Sequence, residues 1–323
     1  MSKKNNAAVA DKSSEIKCYD FVSKSKLFYI ISATLIAISI LVSFFGVDIA
    51  IEFKGGTMIS YSFSGDINSS DVESLVKEIV NSSVTVQQGD LFQNNDKKLT
   101  LSFVSSEGLT ADKQSEITDK LQEKYADNNL KILESTDVAA TSGKNFFVKC
   151  IVAVAFSSVI LILYIALRFK RISGWSSGVC AVIALLHDVI ITYGSFVIMG
   201  FEINSNFIAV VLTILGCSIN NTIVIYDRIR ENRKLMPVCE LKKLVNISTT
   251  QSILRSLRTS ITTVSTMIII SIVAAVSGVN SILSFSIPII VGMTVGTYSS
   301  LCLAPTLWVS WQSKHETAEP KKA

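Results

Sequence analysis

Two adjacent ionisable residues, His187 and Asp188, sit about 13 residues into the apolar run "GWSSGVCAVIALLHDVIITYG". A carboxylate at membrane depth costs several kcal/mol when unpaired, so Asp188 is predicted to face the interior of a helix bundle or a hydrated cavity. There it can bind and release a proton or a cation as its surroundings change, which is the chemistry of ion coupling. His187 is either part of that chemistry or a satisfied polar neighbour. A second concentration lies in "GCSINNTIVIYDRIREN", residues 216–232, where Ser218, Asn220, Asn221 and Thr222 crowd one and a half helical turns ahead of Asp227 and Arg228. Carboxamides offer a carbonyl oxygen to a cation, or interhelical hydrogen bonds worth about 0.6–2 kcal/mol. Residue types alone leave both readings open. A third stretch, "IEFKGGT" at residues 51–57, sets Gly55 and Gly56 between Phe53 and Thr57. A glycine pair permits backbone angles closed to other residues, so a tight turn or bulge launching a strand is expected. A phosphate cradle is not, because no helix N-terminus follows.

These residues need a membrane to make sense. Mean hydropathy is +0.46, with 49% hydrophobic residues, well above what a water-soluble core requires. Runs of about 20 apolar residues cross roughly 30 Å of hydrocarbon, and they are read at 27–46, 146–167, 174–200, 207–226, 260–278 and 281–311. The last exceeds what a bilayer requires and is expected to extend past the interface or bend near Pro288, which lacks a backbone donor. The first resembles a secretory signal, but it is longer than a signal's apolar core and no A-x-A site follows, so it reads as an uncleaved anchor.

Lys and Arg near span ends mark the cytoplasmic side. They cluster in the tail at 1–26, in "RFKR" after the second span, and in the stretch after the fourth, which holds Arg228, Arg230, Arg233, Lys234, Lys242, Lys243, Arg255 and Arg258. Segment 47–145 instead carries 16 acidic residues against 9 Lys, a net of −7, while the remainder carries +11 within the overall +4. Both termini (1–26 and 312–323) and loops at 168–173 and 227–259 are therefore expected inside the cell, and 47–145 outside. The basic excess reflects this topology and contact with anionic membrane lipid, not nucleic-acid binding. Cys18 and Cys239 fall in cytoplasmic segments, four other cysteines fall in spans, and the external segment has none.

Within that external segment strand and helix periods alternate. "TMISYSFSG" alternates as a strand; "SSDVESLVKEIV" puts Val72, Leu75, Val76 and Ile79 on one helical face. Residues 84–104 read as two strands joined at Asn94 to Asp96, followed by a second amphipathic helix and the strand "LKILESTDVA". The order βαββαβ is that of the ferredoxin-like split βαβ arrangement. The predicted architecture is a polytopic α-helical membrane protein with six transmembrane helices, the last five forming a bundle at 146–311, and one α+β ferredoxin-like extracytoplasmic domain. No GxSxG, HExxH or paired-aspartate signature and no CxxC spacing is present. The chain is expected to be neither an enzyme nor a holder of a metal or organic cofactor.

Five ordered motifs carry a resemblance: "FKGGT", "LLHDVIITYGSF", "FEINSNFIAVVLTILGCSINNTIVIYDRIREN", "SLRTSITT" and "GMTVGTYSSLCLAP". Together, from about residue 26 to 311, they resemble the SecD/SecF family of protein-export subunits within the resistance-nodulation-division superfamily. The resemblance implies pairing with SecD into a twelve-span bundle beside the SecYEG channel. It also implies use of a proton or sodium gradient to move external domains that draw a translocating polypeptide outward. By the same resemblance Asp188, Asn220, Asn221 and Arg258 are the ion-coupling candidates, with His187, Asp227 and Arg228 in support, and Phe53, Gly55, Gly56 and Thr57 form the junction of an external lever. One departure stands out: the family's fourth span reads S-[LI]-N-D-[TS], so Asn221 occupies a position ordinarily held by aspartate. If coupling persists, the resemblance moves the titrating role to Asp188 or to a carboxylate of SecD, with Arg258 modulating it. A half-size exporter of small molecules or lipids and an uncoupled assembly scaffold of the translocase are the other readings.

Overall fold

In lipid every backbone N–H and C=O must be satisfied within its own segment, so apolar runs of this length fold as helices. The computed structural model describes residues 18–44, 46–80, 84–90, 97–104, 109–168, 174–277 and 279–318. The chain runs α1 (Ser25–Ser43), a short α2 (Ile51–Lys54), β1 (Gly56–Phe63), α3 (Ser69–Val80), β2 (Val84–Asp90), β3 (Lys97–Val104), α4 (Ala111–Lys124) and β4 (Lys131–Val138). It then enters the bundle through α5 (Ala140–Arg168), α6 (Gly174–Ile198), α7 (Ser205–Leu235), α8 (Leu241–Val276) and α9 (Asn280–Tyr298). A π-helical turn at Ser299–Leu303 leads into α10 (Ala304–Ala318). The six helical spans anticipated from hydropathy are present, making this a multi-pass membrane protein.

Strands pair antiparallel in the order β2-β3-β1-β4, so β1 and β2 run parallel with β3 inserted between them, the ferredoxin-like arrangement. Its core is what the alternation anticipates. Ile59, Tyr61, Phe63, Leu99, Leu101 and Phe103 point to one face and meet Val72 and Val76 of α3 and Ile117 and Leu121 of α4. The opposite face is polar. The expected turn at Asn94 to Asp96 lies outside the described residues.

Burial divides the spans. In α6, α7 and the α9–π–α10 span, 50–61% of the most apolar window is buried, against 11% in α1, α5 and α8. Three helices thus form the core of the bundle, and the other three present broad faces to lipid or to another protein. The stretch at 227–259, expected as a loop, is mostly helix: α7 continues to Leu235 and α8 begins at Leu241. Polar contacts hold these extensions together outside the apolar region. Asn232 donates to Ser248 Oγ at 2.8 Å and to Gln251 Oε1 at 2.9 Å, and Arg228 Nε donates to the same Gln251 oxygen at 2.7 Å. At roughly 1.5 Å per residue, the 36 residues of α8 reach roughly 54 Å, well beyond a bilayer's hydrocarbon. Pro288 is accommodated inside α9, and the helical register of the last span changes at the π turn further on.

Candidate functional site

Asp188 is fully buried where α6, α7 and the last span meet. Its Oδ1 lies 2.9 Å from His187 Nδ1, and its Oδ2 accepts hydrogen bonds from Ser218 of α7 and Ser299 of the π turn, each at 2.7 Å. Three donors offset the desolvation that an unpaired carboxylate would suffer here. Two are hydroxyls, which can turn from donor to acceptor without moving a heavy atom. Each also has a second acceptor within reach: Ser300 Oγ stands 3.5 Å from Ser218 Oγ, and the Gly296 carbonyl 3.2 Å from Ser299 Oγ. The shell therefore suits a carboxylate and, with its hydroxyls rotated, a carboxylic acid. That is the minimum required of a group that takes up and releases a proton.

Local structure explains how the hydroxyls arrive. A π turn widens the helix by one residue and is frequent at functional sites. Here it directs Ser299 to Asp188 while Ser300 donates to the Ser218 carbonyl at 3.1 Å and accepts from Thr222 at 2.9 Å. Gly296, one turn earlier, clears the approach, since a Cβ there would stand 3.2 Å from Ser218 Cβ and 3.4 Å from Asp188 Oδ2. Thr192 returns its hydroxyl to the Asp188 carbonyl, as expected of a threonine inside a helix.

The other sequence-named residues are distributed unevenly. Asn221 is buried and its amide lies 3.5 Å from Ser260 Oγ of α8, which in turn is 2.6 Å from Thr297 Oγ1. Asn220 is exposed on the outer face of α7, because consecutive helical residues project about 100° apart. Arg258 is exposed on α8, and the structure does not bring it to Asp188; Ser260, two residues on, takes the inward face instead. Asp227 and Arg228 lie beyond the apolar part of α7. Asp227 ion-pairs with Arg230 at 2.5 Å and Arg168 at 3.6 Å, and Arg228 pairs with Glu231 at 2.6 Å. Asp227 thereby joins α5 to α7 through Arg168, and Arg228 joins α7 to α8 through Gln251, both away from the buried carboxylate. His187 keeps Nε2 buried without a hydrogen-bond partner, its ring 6.3 Å from that of Tyr298. Sequence reasoning passed over Ser260, Thr297, Ser299 and Ser300; the signal available was the run "GTYSS" following Gly292 at helical spacing. Among the described residues no group of three or more His, Cys, Asp or Glu is placed to hold a metal ion.

At the other end of α7 the bundle meets the β-domain. Asn204 caps the helix by accepting from the Asn206 and Phe207 amides at 3.0 and 3.3 Å, and Glu52 of α2 accepts from the Ser205 amide at 2.9 Å and from its hydroxyl. Carboxylates are favoured at helix N-termini, where amides lack partners and the dipole is positive. A parallel bridge joins Ile49 to Ile203, with the Ala50 amide on the Ile203 carbonyl at 3.1 Å and the Ile203 amide on the Asp48 carbonyl at 2.7 Å. Phe53 is buried against Phe196, Val210 and Ile214, stacking on Phe146 at 5.6 Å. Gly55 and Gly56 follow at φ +83° and +148°, and Thr57 donates to Asp137 of β4 and accepts the Leu109 amide at 2.7 Å. The expected turn at "FKGGT" is thus a helix-to-strand junction clamped on both sides.

A family model described as "Protein export membrane protein SecD/SecF, C-terminal" matches residues 117–314. The protein translocase subunit SecF of Petrotoga mobilis is 32% identical over 93% of this chain and 98% of its own length. The chain belongs to the SecF family. The SecF subunit of Thermobaculum terrenum is 32% identical over 91% of this chain and 94% of its own. SecDF of Bacillus subtilis is 31% identical over 92% of this chain, which spans only 38% of that longer protein. A crystal structure of SecDF, a translocon-associated membrane protein from Thermus thermophilus, aligns over 92% of this chain and 39% of its own with a TM-score of 0.76 at 27% identity. These relatives are named as protein translocase subunits.

The clamp also carries a titratable group. Gln87 of β2 donates to Glu202, in the α6–α7 connection, at 2.8 Å. Burial, and then the nearby carboxylates Asp48 and Glu52, push the Glu202 carboxyl above its ordinary range, with Lys54 partly opposing them. A group whose value rises on docking binds more protons docked than free, so docking strengthens as pH falls through that window and weakens as pH rises through it. We expect hydrogen-exchange protection, taken relative to the intrinsic rate at each pH, to be higher at mildly acidic pH than at neutral in β2 and in residues 200–204, and Glu202→Gln to keep it high at both. Identical pH dependence in the variant would assign the effect to another group.

Proposed function

We propose that this SecF-family chain works with SecD as half of an ion-driven export module beside the SecYEG channel, in which Asp188 binds and releases the coupling proton and the β-domain acts on the translocating polypeptide. The single observation carrying this reading is the fully buried Asp188 inside a shell of reversible hydroxyls contributed by two further spans. A contiguous set of contacts runs from that shell along α7 to Ser205, Glu52 and the glycine junction. Contiguity is what a two-state element needs in order to bias a distant domain, and it becomes coupling only when perturbing one end alters the other. Positive-inside bias favours a β-domain outside the cell with both termini inside. Impermeant maleimide labelling of Cys18 and Cys239 from each side of sealed vesicles tests this orientation.

SecD as partner is supported by the fused relatives, in which the matching segment is a minor part of a longer chain. It is also supported by the surface: Asn220, at membrane depth, and Arg258 face out of the bundle. Polar side chains there are costly against lipid and are the natural face for a second bundle. Asn220→Leu and Arg258→Leu are each expected to reduce copurification of SecD from detergent extracts several-fold while the chain still inserts. Undiminished copurification of both would move the interface elsewhere. Whether the module is coupled is decided by export of a secretory precursor with the gradient imposed and collapsed. A gradient-independent result with every variant favours the scaffold reading, for which the neutral Asn221 is the one specific observation.

A further inference from the structure

On the outer surface at the bundle end opposite the β-domain, a groove of about 700 Å³ opens between α5, α6 and α10, lined by Leu163, Ala166, Leu167, Trp175, Val179 and Trp311. The volume falls within the roughly 300–1,000 Å³ usual for ligand sites. Its construction is specific. Gly174 and Gly178 bring α6 against the α5 backbone, since added Cβ atoms would lie 2.3 Å from the Ala166 carbonyl oxygen and 3.2 Å from that of Ile162. That close approach leaves Trp175, 65% exposed, standing as one wall, with Trp311, 40% exposed, as another. The floor is fixed by Trp308, 2% exposed, whose Nε1 donates to Ser176 at 3.1 Å.

The groove lies beside the last turn of α5 and the first turn of α6, at the depth where Trp rings favour the membrane–water boundary. Arg168 directly follows Leu167 at this end. It shares Asp227 with Arg230. Lys314 lies one turn beyond Trp311 on α10 and borders an adjoining hollow shared with it. An apolar trough with cations at its mouth complements a molecule that is apolar over most of its length and anionic at one end. We propose that this groove is a binding site for an anionic glycerophospholipid, with acyl chain along Leu163, Leu167 and Val179 and headgroup phosphate toward Arg168 and Lys314. Bulk lipid wets every exposed span face without regard to headgroup; this site discriminates.

The chain's three tryptophans provide the readout, because two of them form the groove walls and Trp308 is buried. The full-length protein is reconstituted in phosphatidylcholine vesicles containing equal mole fractions of either acyl-brominated phosphatidylglycerol or acyl-brominated phosphatidylcholine, and Trp quenching is compared. The anionic lipid is expected to quench more strongly. Lys314→Gln is expected to lower its relative affinity about five-fold, and Val179→Phe, which fills the trough, to reduce quenching by both lipids. Trp175→Phe and Trp311→Phe are each expected to remove part of the preferential signal. Equal quenching of the unaltered protein by the two lipids overturns the proposal, as does a headgroup preference that survives both Lys314→Gln and Val179→Phe. Neither result depends on whether export is coupled to a gradient.

Discussion

Asp188→Asn is expected to abolish the gradient-dependent increment of precursor export while leaving export without a gradient, and the fold, close to their original levels. Asparagine keeps the shape of aspartate. Its carbonyl oxygen can accept from a neighbouring donor, and its amide can donate to Ser218 or Ser299 once those hydroxyls rotate toward Ser300 and the Gly296 carbonyl. Only the ability to titrate is lost. Moving a unit charge through a membrane potential is worth about 2.3 kcal/mol per 100 mV, and a site without a titratable group cannot draw on it by proton transfer. Asp188→Ala should behave differently, since Ser218 and Ser299 can turn to Ser300 and the Gly296 carbonyl but His187 Nδ1 is left buried without a partner, at about 1–3 kcal/mol, which lowers the unfolding midpoint as well. Measuring both variants with the gradient imposed and collapsed separates lost coupling from lost stability. Full retention of the increment by Asp188→Asn removes the coupling role from this residue. Asn221→Ala should cause a smaller loss, as its long 3.5 Å contact to Ser260 is weak, and Asn221→Asp should shift the pH dependence of the increment by adding a second buried carboxyl.

Gly56→Val should uncouple the β-domain without preventing membrane insertion. A Cβ on Gly56 would lie 1.9 Å from the Phe103 carbonyl oxygen and 3.2 Å from Val104 Cα, so the obstacle is backbone, which no rotamer change can move aside. The residue also sits at φ +148°, a region that costs other residues about 1–3 kcal/mol. Strand β1 must therefore peel from β3 at the Gly56–Val104 pair, taking with it the hydroxyl of Thr57 that ties β4 and the Leu109 amide together. Hydrogen exchange should accelerate at the start of β1 and the end of β3, with export reduced toward the level of cells lacking the protein. Gly46→Ala is the contrast within the same stretch, because nothing lies within 4 Å of its Cβ position and only backbone strain remains. Normal exchange and export in Gly56→Val would reduce the glycine pair to a passive link.

Periodicity made the spans and the βαββαβ order legible, because each is written in neighbouring residues: long apolar runs, alternation in "TMISYSF", and Val72 and Val76 a turn apart. Asp188 was legible for the same reason, as a charge in an apolar run has few explanations. Its partners were not. Ser299 reaches Asp188 only through a π turn, a change of register that no local residue preference announces, and Ser260 meets Asn221 only because two spans far apart in sequence pack together. Asn220 and Asn221 looked equivalent as a pair, yet consecutive helical residues project about 100° apart, and here Asn221 faces the bundle while Asn220 faces out. Arg258 followed its motif to the right helix and the outward face. Residues 227–259 read as a loop because charge density suggests solvent, and helices that leave the membrane while holding each other by hydrogen bonds look the same in composition.

The bridge between Ile49 and Ile203 has a mechanical meaning. Two backbone hydrogen bonds, from the Ala50 and Ile203 amides, link parallel segments side by side. Force applied along those segments loads both bonds together, so they resist in shear. Force applied across them opens one bond before the other, as a zipper does. These two bonds are thereby stiff along one axis and compliant along another, and in the proposed export role the direction in which a polypeptide pulled on the domain would decide how much of that pull they pass to the spans.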